Sequence, residues 1–411
     1  MAVHIGRSEP MTRVALMPSA YPPSVGGVEE LTRHLALALV AQGDEVEVWT
    51  GLGDDGAPET VETRDGLVVR RFPMPLPATN FPSLIRTATA GVRTMRSLRR
   101  AVATFEPEVL HVQCFGPNGA YATALARLTG IPLVVTLQGE TVMDDTDLFD
   151  VSRVMRAAIR TGLRSASAVT ACSQFTMDDA IARFGLHPGR GMVIPNGVSL
   201  VGPSESMQGE AVEPAPPLAG TPYVLALGRV VEKKGFDLLL AGYAAMDATM
   251  RTADLVIGGS GPALEGLEAQ AEASGIAHRV HLVGRLTREQ VASMMAEATV
   301  FVMPSRLEPF GIVALEAWRA GTAVVATSRG GAPEFISEGR DGLLVDPFDT
   351  MAVARVLERV LADGELRQSL AAAGQLRVKQ FAWPLITDRY RVVYSTVCTR
   401  SIRSRHRVGA R

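Results

Sequence analysis

Short apolar runs of three to five residues alternate along this chain with stretches in which apolar positions recur every three or four residues. That alternation predicts βαβ units and parallel sheets. In the first half, residues 14–17, 46–49, 109–112, 133–137 and 168–171 read as strands. Leu31, Leu35, Ala38 and Leu39 share one helical face between the first two, and Gly43 follows where a left-handed cap belongs. The rhythm stops at 199–222, SLVGPSESMQGEAVEPAPPLAGTP, whose five prolines and missing period predict a linker. A second series begins at 223, with strands expected at 223–227, 255–257, 280–283, 300–303, 323–326 and 343–345. Thr287 and Gln290 form a capping box ahead of one helix, and Gly321 ends another. Ala/Leu/Arg-rich helices fill 350 to about 397. The expected architecture is two doubly wound α/β domains facing across a cleft.

Composition narrows the class. A chain of 411 residues exceeds one hydrophobic core, in agreement with two domains. Hydrophobic residues make up 47% and charged residues 20%, as in globular proteins. The net charge is 41 − 43 = −2, which disfavours a nucleic-acid partner. No apolar run is long enough to span a bilayer, and MAVHIGRSEP lacks a secretory apolar core, so a cytoplasmic location is expected. Cys114, Cys172 and Cys398 are too scattered for a disulfide framework or a zinc site. Arginine dominates the basic residues. Lysine occurs only at 233, 234 and 379, a usage expected of a GC-rich bacterial genome.

Ligands of open α/β sheets bind beyond the carboxyl ends of strands, so the strand-to-helix loops hold the candidate chemistry. In Pro22-Pro23-Ser24-Val25-Gly26-Gly27-Val28-Glu29, Gly26 and Gly27 open a helix whose amides suit an anion. The run is not G-x-G-x-x-G, which argues against a nicotinamide cofactor. In Gly228-Arg229-Val230-Val231-Glu232-Lys233-Lys234-Gly235, Arg229 and Lys234 can together neutralise a diphosphate. In EPFGIVALEAWRAG, Glu308 lies in a loop and Glu316 inside the following helix, with the amides of Gly311, Ile312 and Val313 between them. Carboxylates grip vicinal hydroxyls and a helix start grips phosphate, so the set suits sugars flanking a diphosphate.

Taken in order, these blocks resemble the retaining GT-B glycosyltransferases of family 4. The E-x7-E pattern is Glu308 to Glu316. The basic loop GRVVEKKG, the run Gly258-Gly259-Ser260-Gly261-Pro262, the later Gly330-Gly331-Ala332-Pro333-Glu334 and a closing segment from Phe381 to Tyr390 follow the family's order. The resemblance covers nearly the whole chain from about Met11. It implies a tail at 1–10, an acceptor-binding Rossmann-like domain at 11–198, a linker at 199–222 and a nucleotide-sugar-binding Rossmann-like domain at 223–380. A helix at 381–400 would cross back to the first domain, and a basic tail at 401–411 is expected without structure.

The resemblance also implies residue roles. Arg229 and Lys234 would hold the donor diphosphate and stabilise the leaving group. Glu316 would bind ribose hydroxyls, and Glu308 the donor sugar. Gly26 and Gly27 would bring amides to the phosphate from the opposite domain. No divalent metal or cofactor is implied, the nucleoside-diphosphate sugar being a substrate. Asp54-Asp55 and Asp144-Asp145 read as loop charge rather than a metal pair.

One position departs from the family. Many members carry His where this chain has Gln138, and an amide cannot titrate near neutral pH. Glu140 follows it as a further donor or acceptor contact. Front-face attack, with the leaving phosphate taking the proton, needs no protein base. The implied activity is therefore transfer of a hexose-type sugar, from UDP by family frequency, to an acceptor hydroxyl with an α-linkage. Rival readings are a same-fold epimerase or hydrolase and a silent nucleotide-sugar-binding protein. Arg153, Arg156, Arg160 and Arg164 line one helix face, and 84–102 is also Arg-rich. These faces allow a lipid-linked acceptor or weak contact with the inner face of a membrane, beside a small-molecule acceptor. The oligomeric state is left open.

Overall fold

The computed structural model describes residues 11–24, 26–52, 59–75, 81–144, 147–202 and 220–409, with the backbone alone at 81–88 and 401–409. The chain divides into two compact units. The first holds the described residues of 1–172, 177–194 and 383–409, and the second those of 173–176 and 195–382. The expected tail at 1–10 and most of the expected linker lie outside the described residues.

The first unit is built on an eight-stranded sheet in the order β3-β4-β2-β1-β5-β6-β7-β8. The strands are β1 Arg13–Pro18, β2 Glu45–Gly51, β3 Thr60–Arg64, β4 Leu67–Phe72, β5 Val109–Gln113, β6 Leu133–Leu137, β7 Ala168–Ala171 and β8 Gly191–Val193. Every pair is parallel except β3 with β4. β5 and β6 are buried at every position, the continuous apolar signature of central parallel strands. Leu110, Val112, Val135 and Leu137 pack with Trp49, Phe72 and Phe115 in one core. Burying each such aliphatic side chain contributes about 1.5–3 kcal/mol.

The hairpin of β3 and β4 was not anticipated from the apolar pattern, because β3 is exposed along most of its length and shows no alternation. Its readable signal is Asp65-Gly66. Both residues take positive φ, 52° and 78°, as a two-residue primed turn requires.

The second unit carries a six-stranded, wholly parallel sheet in the order β11-β10-β9-β12-β13-β14. Its strands are β9 Tyr223–Leu227, β10 Asp254–Gly258, β11 Val280–Gly284, β12 Val300–Met303, β13 Val324–Thr327 and β14 Leu343–Val345. Tyr243, Leu255, Val302, Leu343 and Leu357 belong to its core. The doubly wound α/β class expected from the sequence is therefore present in both units. The capping box of Thr287 and Gln290 opens Arg288–Glu297. Gly43 and Gly321 take φ of 94° and 81° just past their helices.

After a short turn at Val378–Phe381, one helix, Trp383–Gly409, closes the chain and belongs with the first unit. Gln42 Nε2 donates to Asp388 Oδ1 at 2.9 Å, Arg391 Nε lies 3.1 Å from Asp44 Oδ2, and Tyr394 Oη lies 2.7 Å from His111 Nδ1. The expectation of an unstructured basic tail is corrected as far as Gly409. SIRSRHRV contains neither proline nor glycine, and arginine is a good helix former, so nothing local ends the helix. Among the described residues no helix is long and apolar enough to cross a membrane.

Candidate active site

In the second unit, four loops meet along the carboxyl edge of the sheet through backbone contacts. The loop after β9 hydrogen-bonds to the loop after β10: Gly228 N donates to Gly258 O at 3.0 Å, Val230 N to Ser260 O at 2.9 Å and Ala263 N to Val230 O at 3.0 Å. Contact this close requires glycine. Gly259 has φ of 139°, and a Cβ there would stand 1.8 Å from Gly228 O. The same loop is tied to the one after β12. Arg306 N donates to Lys233 O at 3.0 Å, and its guanidinium spans Glu232 O and both oxygens of Asp237, each at 2.7 Å. The glycine run and the basic loop thus form one rigid rim.

Lys234 is set in that rim by a short turn, Glu232–Lys234. Its Nζ donates to Glu308 Oε2 at 2.8 Å, and Ser305 Oγ donates to the same oxygen at 2.7 Å. The side chains are 19% and 8% exposed, so the pair is largely withdrawn from water. Glu308 is held in turn by Gly330. Glu308 N donates to Arg329 O at 3.1 Å and Gly331 N to Glu308 O at 2.7 Å, with Gly330 at φ of 102°.

The helix Ile312–Ala320 starts at Gly311, whose φ is 100°. A Cβ on Gly311 would lie 2.6 Å from Met303 Cε. Amides at the start of a helix have no intrahelical acceptor and carry positive potential, so the start at Ile312 and Val313 favours an anion. Glu316 lies in the second turn, half-buried, and burial raises its carboxyl above the ordinary carboxylate range. No protein hydrogen bond or ion pair meets it among the described residues. Arg229 is exposed, and its carbonyl accepts from Val231 N at 2.9 Å. One edge of one unit therefore brings Arg229, Lys234, Glu308 and the Gly311 helix start together on adjoining loops, with Glu316 a turn further along the helix.

The remaining predicted residues are in the first unit. Gly26 precedes the helix Gly27–Ala41 with extended backbone, and Glu29 folds back so that a Gly26 Cβ would meet its Oε2 at 2.5 Å. Gly27 faces open space. Gln138 follows β6 and is half-buried. Glu140 accepts from Phe115 N at 2.6 Å through Oε1 and from Gln138 N at 2.7 Å through Oε2. Both its oxygens are thus spent on backbone, and it brackets the loop after β5 against the loop after β6. Burial raises its carboxyl to about 7, against the lowering effect of those amides. A cavity of about 600 Å³ in the same unit is lined by Ser19, Tyr21, Ser24, Arg71 and Asn118 among others.

Several contributors were not singled out from the sequence. Ser305 and Arg306 lie in the loop after β12 and Asp237 in the first turn of the helix Phe236–Ala245, with no sequence pattern of their own to mark them. His111, Gln113, Thr136 and Thr170 carried a signal that went unread: polar residues inside strands that are otherwise apolar throughout. Asp54, Asp55 and Asp145 lie outside the described residues, and Asp144 Oδ2 accepts from Leu148 N at 2.7 Å. On Arg153–Ser165, Arg156 and Arg160 donate to the carbonyls of Asp150 and Arg183, and Arg164 to that of Arg160.

Two doubly wound units, with cation, carboxylates and helix start on one sheet edge, define a glycosyltransferase of the GT-B type. Sequence comparison agrees. Residues 210–377 match the family described as glycosyl transferases group 1, and residues 26–197 match the glycosyl transferase 4-like domain. The chain is 31% identical to the 2-deoxystreptamine N-acetyl-D-glucosaminyltransferase of Streptomyces fradiae, over 85% of this chain and 86% of that one. It is 30% identical to the D-inositol 3-phosphate glycosyltransferase of Streptomyces scabiei, over 87% and 83%. The crystal structure of Anabaena Alr3699/HepE in complex with UDP-glucose superposes with a TM-score of 0.71 at 20% identity, covering 94% of this chain and 100% of that one. The protein belongs to the group 1 glycosyltransferases and is a sugar-transferring enzyme.

Proposed function

We propose that the enzyme moves a hexose-type sugar from a UDP-sugar to a hydroxyl of a small polyhydroxylated acceptor, with retention, forming an α-linkage. The observation that carries the reading is the Lys234–Glu308 pair, 2.8 Å apart, on the loop joined to the helix start at Gly311. Cleaving a sugar–phosphate bond develops negative charge on the departing diphosphate. Lys234, Arg229 and the amides at Ile312 and Val313 supply fixed positive charge for it without a divalent metal. Glu316, unpaired by protein, grips the ribose hydroxyls. Glu308 keeps Oε1 for a donor-sugar hydroxyl while Oε2 stays with Lys234 and Ser305. The position after β6 holds a neutral amide, so the leaving phosphate takes the acceptor's proton. Two relatives named for cyclitol acceptors support a polyol, for which the cavity at Tyr21 and Asn118 has room. The relative's complex with UDP-glucose supports the choice of nucleotide.

Thermal shift against UDP-, GDP- and ADP-sugars selects the donor, since a ligand that binds the folded state raises the melting temperature. Lys234→Ala is expected to lower turnover of that donor by about 10²–10³, as for other lost charge-stabilising donors. Full activity in this variant refutes the role of Lys234. Free epimer or free sugar as the only product, with candidate cyclitols present, refutes transfer.

A further inference from the structure

The buried polar cluster at the carboxyl ends of β5, β6 and β7 has a direction. His111 and Gln113 are two apart on β5, hence on one face, and both are fully buried. His111 Nδ1 lies 2.7 Å from Tyr394 Oη on the closing helix. Its Nε2 lies 2.7 Å from Thr136 Oγ1 and 3.2 Å from Gln113 Nε2. An amide nitrogen only donates, so His111 Nε2 accepts and the ring proton sits on Nδ1, donated to Tyr394. Burial keeps the imidazole neutral by lowering its pKa to about 3. Thr170 Oγ1 extends the cluster at 2.5 Å from Thr136 Oγ1.

That direction reaches the surface. With Nε2 committed to His111, Gln113 turns its Oε1 toward Gln138, whose Nε2 donates to it at 2.9 Å. The outward group of Gln138 is then its amide oxygen, and among the described residues no protein donor meets it.

We propose that His111, Gln113 and Tyr394 are positioning residues that lock Gln138 with its oxygen outward, so that this position recognises a ligand by accepting a hydrogen bond from one of its hydroxyls. The lock stands on the first unit alone. That the hydroxyl belongs to the donor sugar rests on the sugar-transfer reading above.

Two measurements test the two parts separately. In protein labelled with ¹⁵N-histidine, the His111 signal is identified by its loss in His111→Gln. It is expected in the neutral Nδ1–H form between about pH 6 and 8, where an ordinary histidine titrates. The Nε2–H form, or a charged ring, overturns the lock. The second measurement compares UDP-glucose with its monodeoxyfluoro analogues, because fluorine cannot donate a hydrogen bond. In the wild type, the analogue lacking the hydroxyl that meets Gln138 is expected to lose kcat/KM. Gln113→Leu and Tyr394→Phe, which keeps its ring, should each lower kcat/KM for UDP-glucose by about tenfold, the scale of one hydrogen bond. They should also erase that analogue's disadvantage and leave the Kd of UDP unchanged, since Arg229, Lys234 and Glu316 lie in the other unit and Gly26 and Gly27 meet a phosphate through backbone amides that these substitutions do not touch. An unchanged analogue profile, or UDP affinity falling in parallel, overturns the positioning role. If the wild type does not turn over UDP-glucose, the donor reading fails, while the histidine spectrum still decides the lock.

Discussion

His111 and Glu140 lie in the same unit with opposite pH dependence, and substituting each should expose the other. His111 is buried, and its pKa falls from 6.5 to about 3. The unfolded chain binds a proton that the folded one refuses. Stability is therefore complete above 6.5 and is lost as pH falls from 6.5 toward 3. Glu140 is the reverse. Burial raises its carboxyl from 4.5 to about 7, so the folded state holds the extra proton. Its contribution is complete below 4.5 and is lost as pH rises toward 7. Each pH unit is worth about 1.4 kcal/mol for each group, so between pH 4.5 and 6.5 the two slopes cancel. Going from about pH 6.5 to about pH 5, His111→Gln should gain about 2 kcal/mol relative to the wild type's own change, and Glu140→Gln should lose about 2 kcal/mol. Urea unfolding followed by tryptophan fluorescence measures this in a Trp318→Phe background, which leaves Trp49 and Trp383, both of the first unit, as reporters. If His111→Gln follows the wild type across this window to within about 0.5 kcal/mol, roughly the scatter of surface substitutions, the buried neutral histidine is refuted.

Three further outcomes follow from the second unit. Glu316→Gln leaves no protein partner orphaned, so it should fold as the wild type does while raising the KM for donor; a KM within twofold of wild type refutes its hydroxyl-binding role. Gly330→Ala places a Cβ 2.2 Å from Glu308 O, and with φ of 102° it should destabilise by about 1–3 kcal/mol and displace Glu308, read as a lower Tm and lost turnover. EDTA should leave the rate of sugar transfer unchanged; loss of activity restored by a divalent cation refutes the assignment of the leaving-group charge to Arg229, Lys234 and the Ile312 helix start.

Much of this enzyme is local information. Apolar strands of five residues, the period of the helix 27–41 and the capping box at Thr287 are set by neighbours in the chain, so they could be read in order along it. Loop chemistry was legible for the same reason: a strand's carboxyl end followed by Gly-Arg or Pro-Phe-Gly is a local pattern. The hairpin of β3 and β4 escaped because an exposed edge strand leaves no apolar alternation, although Asp65-Gly66 marked its turn.

What the sequence could not decide is which polar atoms spend their hydrogen bonds on one another. Glu140 reads as a free carboxylate at a site, yet Phe115, 25 residues away, takes one of its oxygens and the amide of Gln138 the other. Glu308 reads as a sugar contact, but one oxygen belongs to Lys234, 74 positions earlier. The orientation of Gln138 depends on Tyr394 at the far end of the chain, through two buried side chains. Composition and periodicity determine which elements form and which residues face inward. Hydrogen bonding is directional and saturable, so its allocation exists only once distant segments are packed together.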